Sequence, residues 1–521
     1  MDKNAVAVVL QMLLCIAVLI LNRKIFISGF KGLLDRVPNR YSLMALGSVA
    51  SFIQGIFLRS FLKTAIIITL FAIFNLIIDY LIREYDGDEL KVYAPIVLSY
   101  KKQAEYFVFI VIGISVITFI IWMIAGAQIG TALDKASSVL ICACPTALFI
   151  SASLYFKSAR KLSEKNEILF KDDAIIENAA DADILLFDKT GIITKGEPVV
   201  TEVFSSDSLT KSGYSALKAN TSEDELIRLA GIMESHSKHP IAKAVTEYAY
   251  NRCEFESNEV SGFIKFEGKG LEGKIDGNII RCGNHDFISN HAIIPAEIEE
   301  RAQMFSSLGK TPIYYSKDNK LLGIIAVSDN IKENTQKGII ELKNMGINPV
   351  MLTGDNEKTA KTIAEQAGGL EVVSGIIAGE ERKIADDYME KGSCAIVLDD
   401  NNDDELIIPE GSASMLAAAF RLSKNTLLNI RHSFLWFLIY NIIMIPIAAG
   451  CLEAIFGILI SPLLFAIIMC FSSVLFTAHA LTIGEKDITD SSKDKKLQSI
   501  NWRRKWKKRS RSNTLTISLK S

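Results

Sequence analysis

The chain has 521 residues, 57 Lys and Arg against 59 Asp and Glu, a formal net charge of −2, and 49% hydrophobic residues. A chain of this length exceeds one hydrophobic core and reads as several domains, and a near-zero charge supplies no field for nucleic acid. A mean hydropathy of +0.26 is too high for a chain in water throughout and too low for one in lipid throughout. The eight cysteines show no paired spacing, and Cys253, Cys282 and Cys394 stand alone in polar stretches, the pattern of reduced thiols and not of a disulfide scaffold.

Seven apolar segments, roughly 4–21, 42–58, 63–82, 106–127, 136–156, 434–453 and 455–483, meet the requirement of about 20 residues for a membrane-spanning helix. The first lacks a basic start and a small-residue cleavage site before Asn22 and Arg23, so it reads as a span and not as a signal peptide. In the loop after it, Arg23, Lys24, Lys31, Arg36 and Arg40 stand against Asp35 alone, which marks that loop as cytoplasmic. Seven crossings then put residues 83–105, 157–433 and 484–521 on the same side as ATP.

In the fifth segment, VLICACPTALF (139–149) sets Pro145 in mid-span, where it removes a donor and frees the carbonyl of Ile141. The helix is expected to unwind there. Cys142 and Cys144 lie on nearly opposite faces of a regular helix and would both face one ion only after such unwinding; thiolates favour soft ions such as Cu(I) or zinc. A proline kink with two buried cysteines fits the same residues.

In the polar insert, the β-branched runs Ile184–Phe187, Leu322–Val327, Pro349–Leu352 and Ala395–Leu398 each end at a polar residue and alternate with helical stretches. That rhythm predicts a doubly wound α/β sheet with Asp188, Asp329, Thr353 and Asp399 converging at the carboxyl ends of its strands. Residues 199–320, with strands and glycines of their own, read as an inserted subdomain.

The segment DILLFDKTGIIT (183–194) delivers Asp188 from an apolar strand to a turn containing Lys189, Thr190 and Gly191. Phosphoryl transfer needs a nucleophile in line with the γ-phosphate, donors around its oxygens and a magnesium ion. Asp188 suits the first role and the turn suits the second. Further along, TGDN (Thr353, Gly354, Asp355, Asn356) supplies a hydroxyl at a strand-end turn, and Lys383 or its neighbour Arg382 supplies a positive charge. AIVLDDNNDDE (395–405) supplies carboxylates, of which Asp399 and Asp403 suit magnesium, a hard cation that takes oxygen ligands.

In this order the motifs resemble those of the heavy-metal-transporting P-type ATPases, along most of residues 10–485. The resemblance implies a multi-pass α-helical membrane domain plus a cytosolic α/β haloacid dehalogenase-like phosphorylation domain with an inserted α+β nucleotide-binding domain. It implies Asp188 as phosphate acceptor, Thr353 as phosphate ligand, and Asp399 with Asp403 as the magnesium pair. The stretch ESHSKHPIAKAV (234–245) is similar to the heavy-metal branch's Ser-x-x-His-Pro signature, which implies adenine binding by Glu234, His239, Gly268 and Gly270. Where the family has Cys-Pro-Cys this chain has Thr146 in place of the second Cys; Tyr440, Asn441, Met469, Ser472 and Ser473 match further family positions, and Met469 with Cys142 and Cys144 forms the expected set for a transported ion.

The domains are expected at 1–105 and 106–157 (transmembrane helices), 158–198 with 321–425 (phosphorylation), 199–320 (nucleotide binding), 426–485 (transmembrane helices) and 486–521 (basic tail). The tail segment WRRKWKKRSR (502–511), with seven basic residues and two tryptophans, is expected either to meet anionic lipid heads or to remain solvated. The family's actuator domain, with its Thr-Gly-Glu loop, has no counterpart: the interval from Arg83 to Tyr106 holds 24 residues, and Thr-Gly-Glu occurs nowhere in the sequence. A folded domain takes at least about 50 residues. Two functions follow as expectations. One is a transport ATPase in the cell membrane, using ATP and Mg2+ to move a Cu+ or Zn2+-like ion; the other is a degenerate homologue that binds nucleotide without pumping.

Overall fold

The computed structural model describes residues 3–83, 94–143, 146–206, 223–253, 260–376, 379–389, 394–398, 406–409, 411–485, 487–497 and 515–520. It divides into two units, Met1–Ala180 with Leu422–Ile488, and Asp181–Arg421 with Thr489–Ser521.

The first unit is helical and apolar. Among the described residues, four helices are long and apolar enough to cross a membrane: Leu62–Leu81, Pro95–Ile124, Ala413–Ala448 and Pro462–Gly484. The apolar stretch at the start is a pair, Val6–Leu21 and Arg23–Leu34, bent by 70°, and Ser42–Leu58 is a shorter apolar helix. The expected span 136–156 is two helices, Ile129–Cys142 and Thr146–Lys165. The proline at 145 has no N–H to continue the ladder. The expected span 434–453 is the second half of the 36-residue helix Ala413–Ala448.

Small and hydroxylic residues let these helices approach closely. Ser51 Oγ and Thr64 Oγ1 share a hydrogen bond of 2.9 Å between helices, Ser115 Oγ donates to the Ala136 carbonyl at 2.8 Å, and Trp122 Nε1 donates to the Ala449 carbonyl at 2.9 Å. The core between them collects Met44, Ile67, Phe71, Val108, Val139, Cys142, Phe465 and Met469.

The second unit holds two sheets. Its strands are β1 (Ile184–Asp188), β2 (Val199–Ser205), β3 (Ser261–Phe266), β4 (Gly270–Ile275), β5 (Asn278–Gly283), β6 (Thr311–Lys317), β7 (Lys320–Ser328), β8 (Asn348–Leu352), β9 (Glu371–Val373), β10 (Cys394–Leu398), β11 (Leu406–Pro409) and β12 (Leu515–Lys520). One sheet is parallel and runs β11-β12-β10-β1-β8-β9 within this unit. The other is antiparallel and runs β2-β7-β6-β5-β4-β3.

β7 corrects one sequence expectation, because the run Leu322–Val327 belongs to the antiparallel sheet and not to the parallel one. Its pattern misleads because both of its faces are covered. Leu322, Ile325 and Val327 pack with the helix Glu223–Glu234, while Leu321, Ile324 and Ala326 pack with Phe287, Ala302 and Phe305 on the other side. A strand buried on both faces reads as a continuous apolar run, the same signature that a parallel strand has.

A buried ion cluster fastens the second unit. Arg421 is 2% exposed; its guanidinium donates to both oxygens of Asp494 at 2.7 Å and to Glu341 Oε2 at 2.7 Å. The planar fork of Arg suits such paired acceptors. Arg421→Met would leave Asp494 buried without the guanidinium and Glu341 with only the distant Lys337, 4.0 Å away, and removing one partner of a buried pair costs about 3–5 kcal/mol. Urea unfolding of this unit at pH 7 should show that loss; a midpoint unchanged from the parent would show the cluster to be energetically idle.

Candidate functional site

Strand β1 has four buried residues followed by one exposed, and the exposed one is Asp188. Its neighbour β8 is parallel and in register, Asp188 opposite Leu352, so the two strands end side by side. The backbone N–H of Lys189 donates to the Leu352 carbonyl at 3.0 Å, extending the pairing one residue past the strand. The turn after Asp188 and the turn that begins at Thr353 are thereby held together, at the edge where open parallel sheets bind ligands.

Side chains lock the two turns. Lys189 Nζ meets Asp355 Oδ2 at 2.6 Å, with the pair 13% and 8% exposed. The second carboxylate oxygen of Asp355 accepts from Thr311 Oγ1 of β6 at 3.0 Å, and the Asp355 N–H donates to Thr353 Oγ1 at 3.2 Å. With a bond at each carboxylate oxygen, Asp355 holds Lys189 in the turn and joins it to β6. Thr353 is buried at 4% exposure; Gly354 is exposed beside it.

The loop after Asp188 is closed on itself and then pinned from outside. The Lys189 carbonyl accepts from the N–H groups of Ile193 (3.0 Å) and Thr194 (3.2 Å), and Thr190 and Thr194 form a β-bridge. Gly191 lies at φ 82°, the left-handed conformation that favours glycine. Lys332 Nζ donates to the Gly191 carbonyl at 2.6 Å and Thr335 Oγ1 to the Ile193 carbonyl at 3.1 Å. Asp329 Oδ2 accepts from the Gly196 N–H at 3.1 Å, so this residue, expected at a parallel strand end, reaches the same loop from the end of β7.

Lys383 lies exposed on the helix Glu381–Met389 and makes no ion pair among the described residues. Asp399 and Asp403 fall outside the described residues. The strand that leads to them is described: β10 is the other parallel neighbour of β1, with Val397 opposite Phe187.

The expected adenine residues divide into two sorts. His239 caps the helix Pro240–Tyr250, its Nδ1 accepting from the Ile241 N–H at 3.2 Å, and it is exposed. Desolvation, then the positive charges of Lys265 and Lys189, hold its pKa below the ordinary histidine value, against a smaller opposite pull from Asp355. Gly268 sits at φ 69° in the turn between β3 and β4.

Glu234 and Gly270 are instead packed inside. Glu234 is 6% exposed and accepts from Tyr315 Oη at 2.9 Å. A Cβ on Gly270 would stand 2.2 Å from the Cys282 carbonyl oxygen and 2.8 Å from the Phe287 ring, so the close pairing of β4 with β5 requires glycine here whatever else binds.

In the first unit, Cys142 and Met469 are buried in one cluster, at 0% and 1% exposure. Tyr440 Oη donates to the Cys142 carbonyl at 3.3 Å, next to the break between the two helices, and Ser473 Oγ lies 3.9 Å from Met469 Sδ. Asn441 Oδ1 is buried and lacks a hydrogen-bond partner among the described residues. Cys144 lies outside the described residues. Among those described, no three His, Cys, Asp or Glu groups are placed to hold a metal together.

Sequence reasoning missed Thr311, Lys332 and Thr335. The polar run SDNIKENT (328–335) is the available signal for Lys332 and Thr335; Thr311, at the start of β6, has none.

Comparison with known proteins agrees with this architecture. The haloacid dehalogenase-like hydrolase family pattern matches residues 182–393. The copper-transporting P-type ATPase of Rhizobium leguminosarum bv. viciae is 30% identical over 416 residues, covering 75% of this chain and 48% of that protein. The copper-exporting P-type ATPase of Staphylococcus epidermidis is 32% identical over 406 residues, covering 73% and 48%. This chain spans about half the length of the curated relatives it matches. The crystal structure of a zinc-transporting PIB-type ATPase in the E2.Pi state superposes with a TM-score of 0.57 at 17% identity, covering 93% of this chain and 100% of that one, which establishes the fold alone.

Burial raises the Glu234 pKa above the ordinary value of 4.5, partly offset by the bonds from Tyr315 and Cys282. Its folded pKa lies above its unfolded one, so its contribution to stability is full below about pH 4 and is lost as pH rises through the folded value. Glu234→Gln keeps an acceptor for Tyr315 and removes the buried charge. Thermal unfolding should therefore become less pH-dependent between pH 4 and 8, the variant being the more stable at pH 8; a parallel pH profile for both proteins would contradict this.

Proposed function

Because this chain belongs to the heavy-metal P-type ATPase family, we propose that its Asp181–Arg421 unit transfers the γ-phosphoryl group of ATP to Asp188, and that its apolar unit binds a soft cation near Cys142 and Met469. The single observation that supports this most is the lock on the β1 and β8 turns. It holds the end of β1, where Asp188 is exposed, next to the turn that begins at buried Thr353, with Lys189 fixed by Asp355 of that turn.

In this reading an Asp188 carboxylate oxygen attacks the γ-phosphorus, the bond to the bridging oxygen breaks, and ADP leaves with that electron pair. The locked turns hold the acceptor still, so that part of the barrier is met by positioning. Thr353 holds a phosphate oxygen, and His239 with Gly268 receives the base. Lys383 reaches the phosphate from its exposed helix, an approach that its flexible four-carbon stem permits.

The donor set fits a hard divalent cation: Asp188 ends one strand, and Asp399 and Asp403 follow directly on its parallel neighbour β10. These three would hold Mg2+, which when bound neutralises charge on the transferring phosphate. The cargo is proposed as copper-like, on the names of the relatives and on the thiol and thioether at Cys142 and Met469. The location proposed is the cell membrane, with ATP reaching the second unit from the cytoplasm.

A second reading is favoured by a specific observation, the 24-residue interval from Arg83 to Tyr106 and the lack of any Thr-Gly-Glu in the sequence. The chain would then form or bind the phosphorylated state without turning it over by itself, as a non-pumping homologue.

Membranes incubated with terminally labelled ATP and Mg2+ should yield an acid-stable, hydroxylamine-sensitive phosphoprotein. Asp188→Asn should abolish it, and Lys189→Met should slow its formation at least about tenfold, or ~1.4 kcal/mol of barrier. The absence of label in the parent chain would remove the enzyme reading. Label that decays when Cu+ is added supports transport, whereas label that forms and persists supports the second reading.

A further inference from the structure

Strands β10 and β11 follow each other closely in sequence and lie parallel in one sheet, yet they are not neighbours. Between them runs β12, paired Ala395↔Leu515 through Leu398↔Ser518 on one side and Leu406↔Ile517 through Pro409↔Lys520 on the other. The connection 399–405 is seven residues, where a parallel crossover ordinarily takes a dozen or more and carries a helix.

The register explains how so short a link suffices. Val397 and Leu406 both stand level with Ile517, so β11 starts beside the end of β10 and does not return to its beginning. Strands two places apart are separated by about 9.5 Å, twice the strand spacing. That gap is one strand wide and is bordered on both sides by backbone that must find partners. The strand that fills it comes from more than a hundred residues further along the chain.

The filling segment is also anchored near its other end. Asp494 and Leu497, in the short helix Asp494–Leu497, are each 1% exposed, and Asp494 takes two bonds from Arg421. Residues Thr489–Ser521 belong to the same compact unit as Asp181–Arg421, although they follow the last apolar helix. Buried ion pairs at 494 and a parallel ladder at 515–520 are separate observations, and both tie one segment to one unit. The sequence LTISLK alternates apolar and polar residues, as an inserted strand does.

We propose that residues 489–497 and 515–520 form an intramolecular strap that donates β12 to the parallel sheet, making β10 an interior strand and so holding it against β1. The strand slot is the proposal's own claim; the catalytic consequence rests on the phosphorylation reading above. The slot's occupant is this chain's own Leu515–Lys520. β10 is the parallel neighbour of β1, which ends at Asp188, so release of the strap frees the strand beside the acceptor and switches phosphorylation off.

The test compares three full membrane-protein preparations in detergent by amide hydrogen exchange without nucleotide: the parent, Ile517→Pro with Ser518→Pro, and a chain stopped after Leu497. Adjacent strand residues direct their N–H groups to opposite neighbours, so the double variant removes a ladder donor towards each side. Amides within Ala395–Leu398 should exchange at least about tenfold faster in both altered chains, while those of Asn348–Leu352 in β8 keep their protection. A synthetic peptide of residues 513–521 should restore protection to the shortened chain. Unchanged protection at 395–398 overturns the strap. If the shortened chain loses β8 protection as well, the double variant decides. Label from ATP should fall at least about tenfold in the double variant; parental labelling alongside lost protection overturns the switching role and leaves the strand slot standing.

Discussion

The parallel pairing of β1 with β8 is the constraint from which the rest of the second unit follows. Four consecutive buried residues leave the fifth, Asp188, nowhere to go but out at the strand end, and the register sets it opposite Leu352. Two turns that carry polar chemistry are then forced into contact, and the hydrogen bond from Lys189 to the Leu352 carbonyl continues the sheet into them. The Lys189–Asp355 ion pair completes the lock in a place shielded from water, where a charge-assisted bond is short and directional. Thr311 takes the remaining Asp355 oxygen, so the antiparallel sheet is tied to the turn that holds Lys189.

Much of this was legible in the sequence, for reasons that differ from element to element. Short apolar runs ending in Asp or Thr announce strand ends, and DKTG, TGDN and the His-Pro segment are compact enough to be read without a fold. The run Leu322–Val327 was assigned to the wrong sheet because burial on both faces erases the alternation that marks an antiparallel strand. For Gly270 and Glu234 the sequence does not reveal the local packing: a Cβ at 270 would meet the Cys282 carbonyl, and Glu234 is a buried acceptor for Tyr315. The clamps Lys332 and Thr335 were not legible, because a lysine that bonds a distant carbonyl has no local pattern.

The apolar helices show the limits of composition in another way. Hydropathy finds apolar stretches but not where a helix breaks, so 136–156 reads as one span and folds as two helices on either side of the proline. The soft-ligand residues Cys142 and Met469 do share one buried cluster, and the Tyr440 hydroxyl occupies the carbonyl exposed by the break. Around Asp188 the strands, turns and clamps of the second unit are in place.

Trapping the acceptor chemically tests that account most directly. Borohydride reduces an aspartyl phosphate to homoserine, so the protein incubated with ATP and Mg2+ and then reduced should give a peptide spanning 183–195 with homoserine at position 188. Intact aspartate at 188 with homoserine at another carboxylate, or at none, would contradict the assignment of Asp188 as the phosphorylated residue.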